Sequence, residues 1–375
     1  MNSFWEQDAM QDADCIVVGA GMIGLLTALE LRDRHPEARI MVLERGLLPS
    51  GASSRNGGFA CFGSLTEILA DIDAVGVEAT VALIARRWHG LARLRERIGD
   101  VAMAFENLGG HELLDASQLP ALARIDEINA ALMPLFGAPV FVHDGAGLAA
   151  SGFGATVCAL ILNRFESQLH SGKLMRALAV KAGAARIEIH TGAQVSAIED
   201  SATEVMLEVA ASATSSSMRL RAGSVALCTN GMTGVLAPQA GITPARGQVL
   251  VTEPVPGLPW RGCHYFDQGY YYFRNVDDRV LLGGGRNLDF EGEGTMQLAL
   301  TAPIQEALER MLAEVILPGR AVHIASRWAG LMGFSADKQP VVKLLSPHVA
   351  IGFGCNGMGV ALAADTAART AGLLA

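Results

Sequence analysis

Three glycines, Gly19, Gly21 and Gly24, have the spacing that lets a backbone close around a pyrophosphate. Glycines this close together are common, so their neighbours decide the reading. A short apolar run, Cys15 to Val18, precedes them, and Ile23, Leu26, Leu29 and Leu31 then give one apolar helix face that halts near Pro36. A second apolar run, Ile40 to Leu43, ends on Glu44 and Arg45. A strand, a glycine turn, a helix and an acid closing the next strand about 20 residues on make a dinucleotide-binding unit. Gly19 permits the tight turn, Gly21 keeps side chains away from the phosphates, and Gly24 lets the helix lie close to the strand. Met22 and Ile23 stand in the first turn of that helix, whose N-terminus faces the phosphates with about half a positive charge. Glu44 is the expected acceptor for a ribose 2′-hydroxyl, and its charge argues against a 2′-phosphate and therefore against NADP. Whether the dinucleotide is NAD or FAD, this unit alone does not say.

A second group follows at once. In the loop from Gly46 to Phe59, Ser53, Ser54 and Arg55 are placed to reach phosphate, and Asn56 leads into Gly57 and Gly58, where the backbone can approach a flat ring. The loop is too rich in glycine and serine for a packed helix start, and a solvated connector is the competing reading. A third group closes the chain. Gly352-Phe353-Gly354-Cys355-Asn356-Gly357-Met358-Gly359 joins an apolar strand to a helix running to Leu374, and again aims amides and a helix N-terminus outward.

Together these stretches resemble the D-amino acid oxidase superfamily of FAD enzymes, the group that includes glycine oxidase, sarcosine oxidase and γ-glutamylputrescine oxidase. The likeness rests on the first fingerprint with its acid, on Gly51-Ala52-Ser53-Ser54-Arg55-Asn56-Gly57-Gly58, and on the block from Arg327-Trp328-Ala329-Gly330 to Gly359. It implies FAD, with the backbone of Val195 beside the adenine and Thr229-Asn230-Gly231 close to the phosphates or ribityl chain. It also implies that Gly354, Asn356, Gly357, Met358 and Gly359 meet the pyrimidine side of the isoalloxazine, where they would stabilise the charge of reduced flavin. The flavin is expected to be non-covalent. Arg55-Asn56 stand where the family's covalent histidine would follow Ser53-Ser54, and no cysteine lies near Gly330. The fold so implied is α/β, or α+β overall: a Rossmann-type FAD-binding domain from 1–80, 165–242 and 325–375, with an inserted antiparallel-sheet substrate domain from 81–164 and 243–324.

The elements that must carry these groups are legible in part. From Ile68 to Asn163 the pattern is helical with interruptions; Val81 to Ile98 has helical spacing, and its Arg86, Arg93, Arg95 and Arg97 read as a solvated face. His111-Glu112 falls in a strand-like stretch, more readily structural than an acid/base pair. Ser117 to Leu132 and Ser171 to Ala182 read as helices, Arg186 to His190 as a strand, and Val205 to Val209 with Met218 to Arg221 as a hairpin around a low-complexity tip, Ala211 to Ser217. From Thr243 the composition turns to β before a helix at Ala302 to Leu317. That β region is expected to roof the flavin, with Tyr272, Arg274, Arg286 and Met332 lining the substrate pocket. Relatives that oxidise free amino acids often carry a carboxylate-clamping arginine where this chain has Leu331-Met332-Gly333; Arg274, Arg286 and Arg246 are the substitutes, each equally readable as structural.

Half of the 375 residues are hydrophobic, the formal charge is -9, and no basic cluster is present, which turns the reading away from nucleic acid. Six cysteines lie far apart with no Cys-x-x-Cys, as buried thiols in a reducing compartment would, and no metal site is expected. Glu6, Asp8, Asp12 and Asp14 are the wrong charge for a secretory signal, and the apolar stretch from Val349 to Ala364 falls short of a bilayer span. A soluble cytoplasmic protein is the expectation. Its expected reaction takes a hydride from the C–H beside the nitrogen of a small amine or amino acid to flavin N5; the imine is hydrolysed, and O2, giving H2O2, or another acceptor reoxidises the flavin. An NAD-dependent dehydrogenase, or a non-catalytic subunit stabilised by FAD, are the alternatives. Oligomeric state is not written in the sequence.

Overall fold

The computed structural model describes residues 3–211, 217–336 and 339–374; most of the serine-rich tip, and Asp337 with Lys338, lie outside the described residues. Two eight-stranded sheets carry the chain. Asp12–Val18 is central to the first, flanked in parallel by Ile40–Glu44 and Ser217–Leu227, with Glu188–Thr191 and Val349–Phe353 beyond them. Ile16, Val17, Ile40 and Val42 are fully buried because parallel strands are covered on both faces, so these runs are continuously apolar and do not alternate. The helices Met22–Arg34, Val77–Ile98, Ser171–Ala184 and Gly359–Gly372 cover one face, where Leu25, Leu91, Leu178 and Ala363 share a core. The hairpin Ala193–Asp200 and Val205–Ala211 continues the sheet and buries Val195 and Leu207 beside Met41 and Leu43 on the other face.

The second sheet runs Ile324–Phe334, Thr243–Thr252, Arg279–Gly284, Tyr271–Val276, Cys263–Phe266, Gly110–Leu114, Ala159–Asn163, Phe141–His143. Its register places Trp328, Val249, Gly283, Tyr272, Tyr265 and Glu112 in one row on one face. This face looks toward the first sheet: Trp328 Nε1 donates to the Arg55 carbonyl at 2.8 Å, and Tyr272 meets the Phe59 ring edge to face. The other face carries Leu250, Leu282 and Phe273 against Ile304 and Leu308 of the helix Ala302–Arg310. A buried ion pair, Arg246 Nη2 to Glu293 Oε1 at 2.6 Å, holds the 289–301 loop there.

Several local expectations change. The helix placed with the substrate domain, Val77–Ile98, also packs on the first sheet's helices, where Gly90 lets it approach the Ala361 carbonyl and Arg86 pairs with Asp365 at 2.8 Å, while its Ile84 clusters with Leu114 and Ile161 of the second sheet. Ile324–Phe334, expected to fall almost wholly in the FAD-binding domain, pairs along its length with Thr243–Thr252 in the second sheet. A short helix, Ala52–Arg55, forms inside the loop read as irregular. Ser117 to Leu132 begins with a tight turn at Leu119–Arg124 before the helix Ile125–Phe136, and the last helix of the roof widens to π geometry at Met311–Ile316. Phe141–His143 and Ala159–Asn163 are strands in a region read as mainly helical; runs this short carry no period that separates the two states. Of the cysteines expected to be buried, Cys158 is exposed and the other five are buried.

The closest helix contact yields a stability expectation. A Cβ on Gly90 would lie 2.2 Å from the Ala361 carbonyl oxygen, a backbone atom with no freedom to retreat. Gly90→Ala should therefore force the two helices apart and destabilise the protein by about 1–3 kcal/mol, read as a lower midpoint in urea unfolding.

Candidate active site

The first fingerprint is built on close peptide approach. Gly19 has a φ of 103°, and a Cβ on it would meet the Cys228 carbonyl at 2.7 Å. A Cβ on Gly24 would lie only 1.8 Å from the Gly19 carbonyl, so helix and turn touch backbone to backbone. The Met22 amide donates to Ser53 Oγ at 2.9 Å, which brings the second glycine-rich stretch onto the first helix N-terminus. Ile23 is partly buried on the same turn. Glu44, 8% exposed, accepts from the Ala20 amide at 3.0 Å and the Gly46 amide at 2.9 Å, one on each oxygen. A carboxylate offers about four acceptor positions, so two remain for ribose hydroxyls. Arg45, next in line, is exposed.

The second loop is fixed by its own side chains. Asn56 Nδ2 donates to the carbonyls of Ala52 and Ser53, while its Oδ1 accepts from the Gly58 amide at 2.8 Å and Ser171 Oγ at 2.7 Å. Ser54 and Arg55, expected to reach phosphate, bind carbonyls instead: Ser54 Oγ donates to Pro49 at 2.6 Å and Arg55 Nη1 to Ala329 at 2.7 Å. Arg55 thereby ties the loop to the second sheet. Gly57 and Gly58 are buried, and a Cβ on Gly58 would meet the Leu169 carbonyl at 2.2 Å.

The C-terminal turn comes to the same place. Gly354, Asn356 and Gly357 all have positive φ, and Asn356 closes the turn by donating to the Gly354 carbonyl and accepting from the Ser335 amide at 2.9 Å. A Cβ on Gly359 would lie 3.7 Å from Met22 Cε, so helix starts from opposite ends of the chain are neighbours. Met358 Sδ accepts from Cys61 Sγ at 3.6 Å. Between the fingerprint and the roof sits Thr229-Asn230-Gly231, with Asn230 Nδ2 on the Leu331 carbonyl and Gly231 against the Met332 carbonyl. Val195 is buried at 8% exposed.

On the roof, Gly247 and Gly283 form a low floor. Met332 Cε lies 3.0 Å from where a Gly247 Cβ would stand, and the Tyr272 phenol covers Gly283. Burial pushes the Tyr272 hydroxyl up to about 12, so it stays a neutral donor. Arg274, expected in the pocket, is instead a buried tie: Nε donates to the Gly57 carbonyl at 2.6 Å and Nη2 to the Leu169 carbonyl at 2.9 Å. Arg246 is consumed by Glu293. Arg286 alone stays open, stacked 4.5 Å from the Phe334 centroid and 4.8 Å from Phe290, with no hydrogen bond or ion pair among the described residues. Sequence reading did not find Phe59, Phe290, Phe334 or Ser171 as site residues. Period-two alternation along Ile324–Phe334 is a signal that would mark Phe334; nothing local marks the others.

Two adjacent helix starts, a buried acid with free acceptor positions and an antiparallel roof define a dinucleotide-dependent oxidoreductase. The chain belongs to the DAO family of FAD dependent oxidoreductases, whose pattern matches residues 14–373, and FAD is its cofactor. It is 24% identical over 373 residues to "Probable oxidoreductase OrdL" of Rhizobium meliloti (strain 1021), covering 94% of this chain and 80% of that protein. Its fold is similar to glycine oxidase from Geobacillus kaustophilus, with TM-score 0.77, 19% identity and coverage of 97% and 95% of the two chains. It is also similar to L-proline dehydrogenase from P. horikoshii, with TM-score 0.76, 19% identity and coverage of 97% and 93%.

Two substitutions separate cofactor holding from pocket function. Glu44→Ala removes a charged acceptor from the Ala20 and Gly46 amides and the acceptor positions expected to meet a ribose. The expected loss of about 1.5–3 kcal/mol raises the FAD dissociation constant roughly 10- to 100-fold, measurable by flavin fluorescence after dialysis. Arg274→Met should lower thermal stability and FAD retention while leaving the substrate KM of the remaining holoenzyme unchanged, because its partners are one carbonyl of the cofactor loop, at Gly57, and the carbonyl of Leu169.

Proposed function

We propose that this protein oxidises a C–N bond of a small amine or amino acid to an imine, which water then hydrolyses, with O2 or another acceptor taking the electrons. FAD supplies the hydride-accepting chemistry. The chain's own residues hold the cofactor, present the substrate carbon and exclude water. The reading rests on the roof surface at Gly247 and Gly283, where the Met332 side chain lies over the first glycine and the Tyr272 ring over the second, with Tyr272 set against the Phe59 end of the cofactor loop. These side chains are apolar or neutral, which suits a neutral amine whose lone pair drives hydride loss without a strong base. The names glycine oxidase and L-proline dehydrogenase of similar folds support a nitrogen substrate.

Met332 on that surface offers no charge to a carboxylate, so an acidic group on the substrate is read by Arg286 at the rim. A guanidinium whose contacts are two aromatic rings leaves its N–H groups for a two-point contact. Among the described residues no helix is long and apolar enough to cross a membrane. The buried free thiols fit a reducing cytoplasm.

Anaerobic titration of the FAD-loaded protein with primary and N-methyl amines, D- and L-amino acids and hydroxy acids tests the reading. At least one nitrogen compound should bleach the flavin; bleaching by hydroxy acids alone would sink it. Arg286→Met should raise KM for carboxylate-bearing substrates roughly 10- to 100-fold with kcat little changed, and leave neutral amines unaffected.

A further inference from the structure

Nine buried side-chain polar atoms lack a hydrogen-bond partner among the described residues, and five of them belong to Asn163, Glu166, Gln168 and Tyr265, in or against the short segment 163–168. Glu166 accounts for two: it is 1% exposed and neither carboxyl oxygen accepts anything. A Cβ on Gly110 would lie 2.1 Å from Oε2, so that glycine leaves the space the carboxyl fills. The Tyr265 phenol and the Phe62 amide face it without reaching hydrogen-bond geometry. Tyr265 in turn stands 5.6 Å from the Phe59 ring and shares a cluster with Cys61, Tyr272 and Met358, which are the pocket wall and the start of the C-terminal helix. Glu112, on the same sheet face, shows what a structural acid looks like here: it accepts from Ser64 Oγ at 2.9 Å, from the Thr66 amide at 3.1 Å and from the Thr66 hydroxyl.

A carboxyl buried this way favours its neutral form, since an isolated buried charge is far costlier than an unpaired hydroxyl. The charged and titratable groups around it offer no counter-ion. Glu67 and Glu112 are acids, and Cys61, Cys263 and Tyr265 are all held in their protonated forms by burial. Arg87 donates through Nη1 to the Phe62 carbonyl at 2.7 Å and lies 3.6 Å from Glu67, and Arg274 is spent on Gly57 and Leu169. Burial pushes the Glu166 carboxyl up to about 8.

We propose that Glu166 is the proton-holding residue of this site, connected to the pocket through Tyr265 and through water that satisfies the orphaned atoms of the seam. The inference rests on the amine reading above. An amine that arrives as an ammonium must give up one proton from nitrogen before its carbon can lose a hydride to the cofactor. A bridging water carries that proton to the Tyr265 oxygen as the phenolic proton moves to the Glu166 carboxylate; after product leaves, the carboxylic acid returns it to solvent. Glu166 acts through Tyr265, so it is a positioning residue whose acceptor form grows with pH.

Flavin bleaching by an active amine, followed anaerobically across pH in the FAD-loaded protein, should show an inflection near pH 8 that Glu166→Gln and Tyr265→Phe both abolish while retaining FAD. An inflection that survives Glu166→Gln overturns the proposal. A second readout needs no substrate: oxidised wild type at neutral pH should carry a carboxylic-acid infrared band that fades through about pH 8 and is missing in Glu166→Gln. A third is stability. The folded value stands above the ordinary 4.5, so the acid's stabilising contribution is intact below that pH and lost as pH rises through about 8; Glu166→Gln should gain stability over wild type across that window. If the band titrates near pH 8 and no amine bleaches the flavin, the amine reading fails while the buried acid stands. If amines bleach the flavin and the band is absent, the proton store alone is wrong.

Discussion

Peptide groups meeting with nothing between them are the constraint on which this structure depends. The Gly24 position touches the Gly19 carbonyl, the Gly19 position touches the Cys228 carbonyl, and the Gly58 position touches the Leu169 carbonyl. Each contact lets two stretches of backbone pack directly, which no residue with a side chain would allow. Of the cations of this region, Arg55 and Arg274 are bound to carbonyls and Arg45 is exposed. Backbone amides and helix N-termini, whose orientation the fold fixes, are thereby brought together without a side chain between them.

The same economy joins the two halves. Arg274 stands on a roof strand, yet its guanidinium satisfies one carbonyl of the cofactor loop and one at Leu169, and across the same seam Trp328 donates to the Arg55 carbonyl while the Arg55 guanidinium donates to the Ala329 carbonyl. Desolvation lowers the Arg274 pKa from its ordinary value, but an arginine still remains charged, so it can tie buried carbonyls where a lysine would tend to deprotonate. The distance between flavin loop and substrate roof is in this way set by buried backbone partners and not by surface contacts.

This division explains what the sequence disclosed. The dinucleotide unit was legible because every glycine in it answers a separate steric demand, and the strands around it are apolar on both faces. The union of the two helix starts was legible only through resemblance, since Met22 and Gly359 are at opposite ends of the chain. Arg274, Arg246 and Arg286 could not be told apart in sequence: all three lie in or just beyond strands, and only the spatial neighbours show two satisfied and one open. Ser54 and Arg55 misled for a related reason, because a hydroxyl or guanidinium in a glycine loop is as useful to unpaired carbonyls as to phosphate. Helix Val77–Ile98 contributes to the cores of both sheets, which its amphipathic period does not reveal: the period shows that it packs, but not on what.

The pocket itself follows from how side-chain size alternates along the roof. On the strand Ile324–Phe334 the inward positions run Trp328, Gly330, Met332, Phe334, and across from Gly330 and Met332 stand Gly247 and Ala245. Large groups thus bracket a shallow centre, and the bracket at the Phe334 end is where Arg286 stacks. Under the reaction proposed above, a substrate against that centre would meet apolar walls around its reacting carbon and a cation only at the rim, a setting that favours the neutral amine over its ammonium form by desolvation.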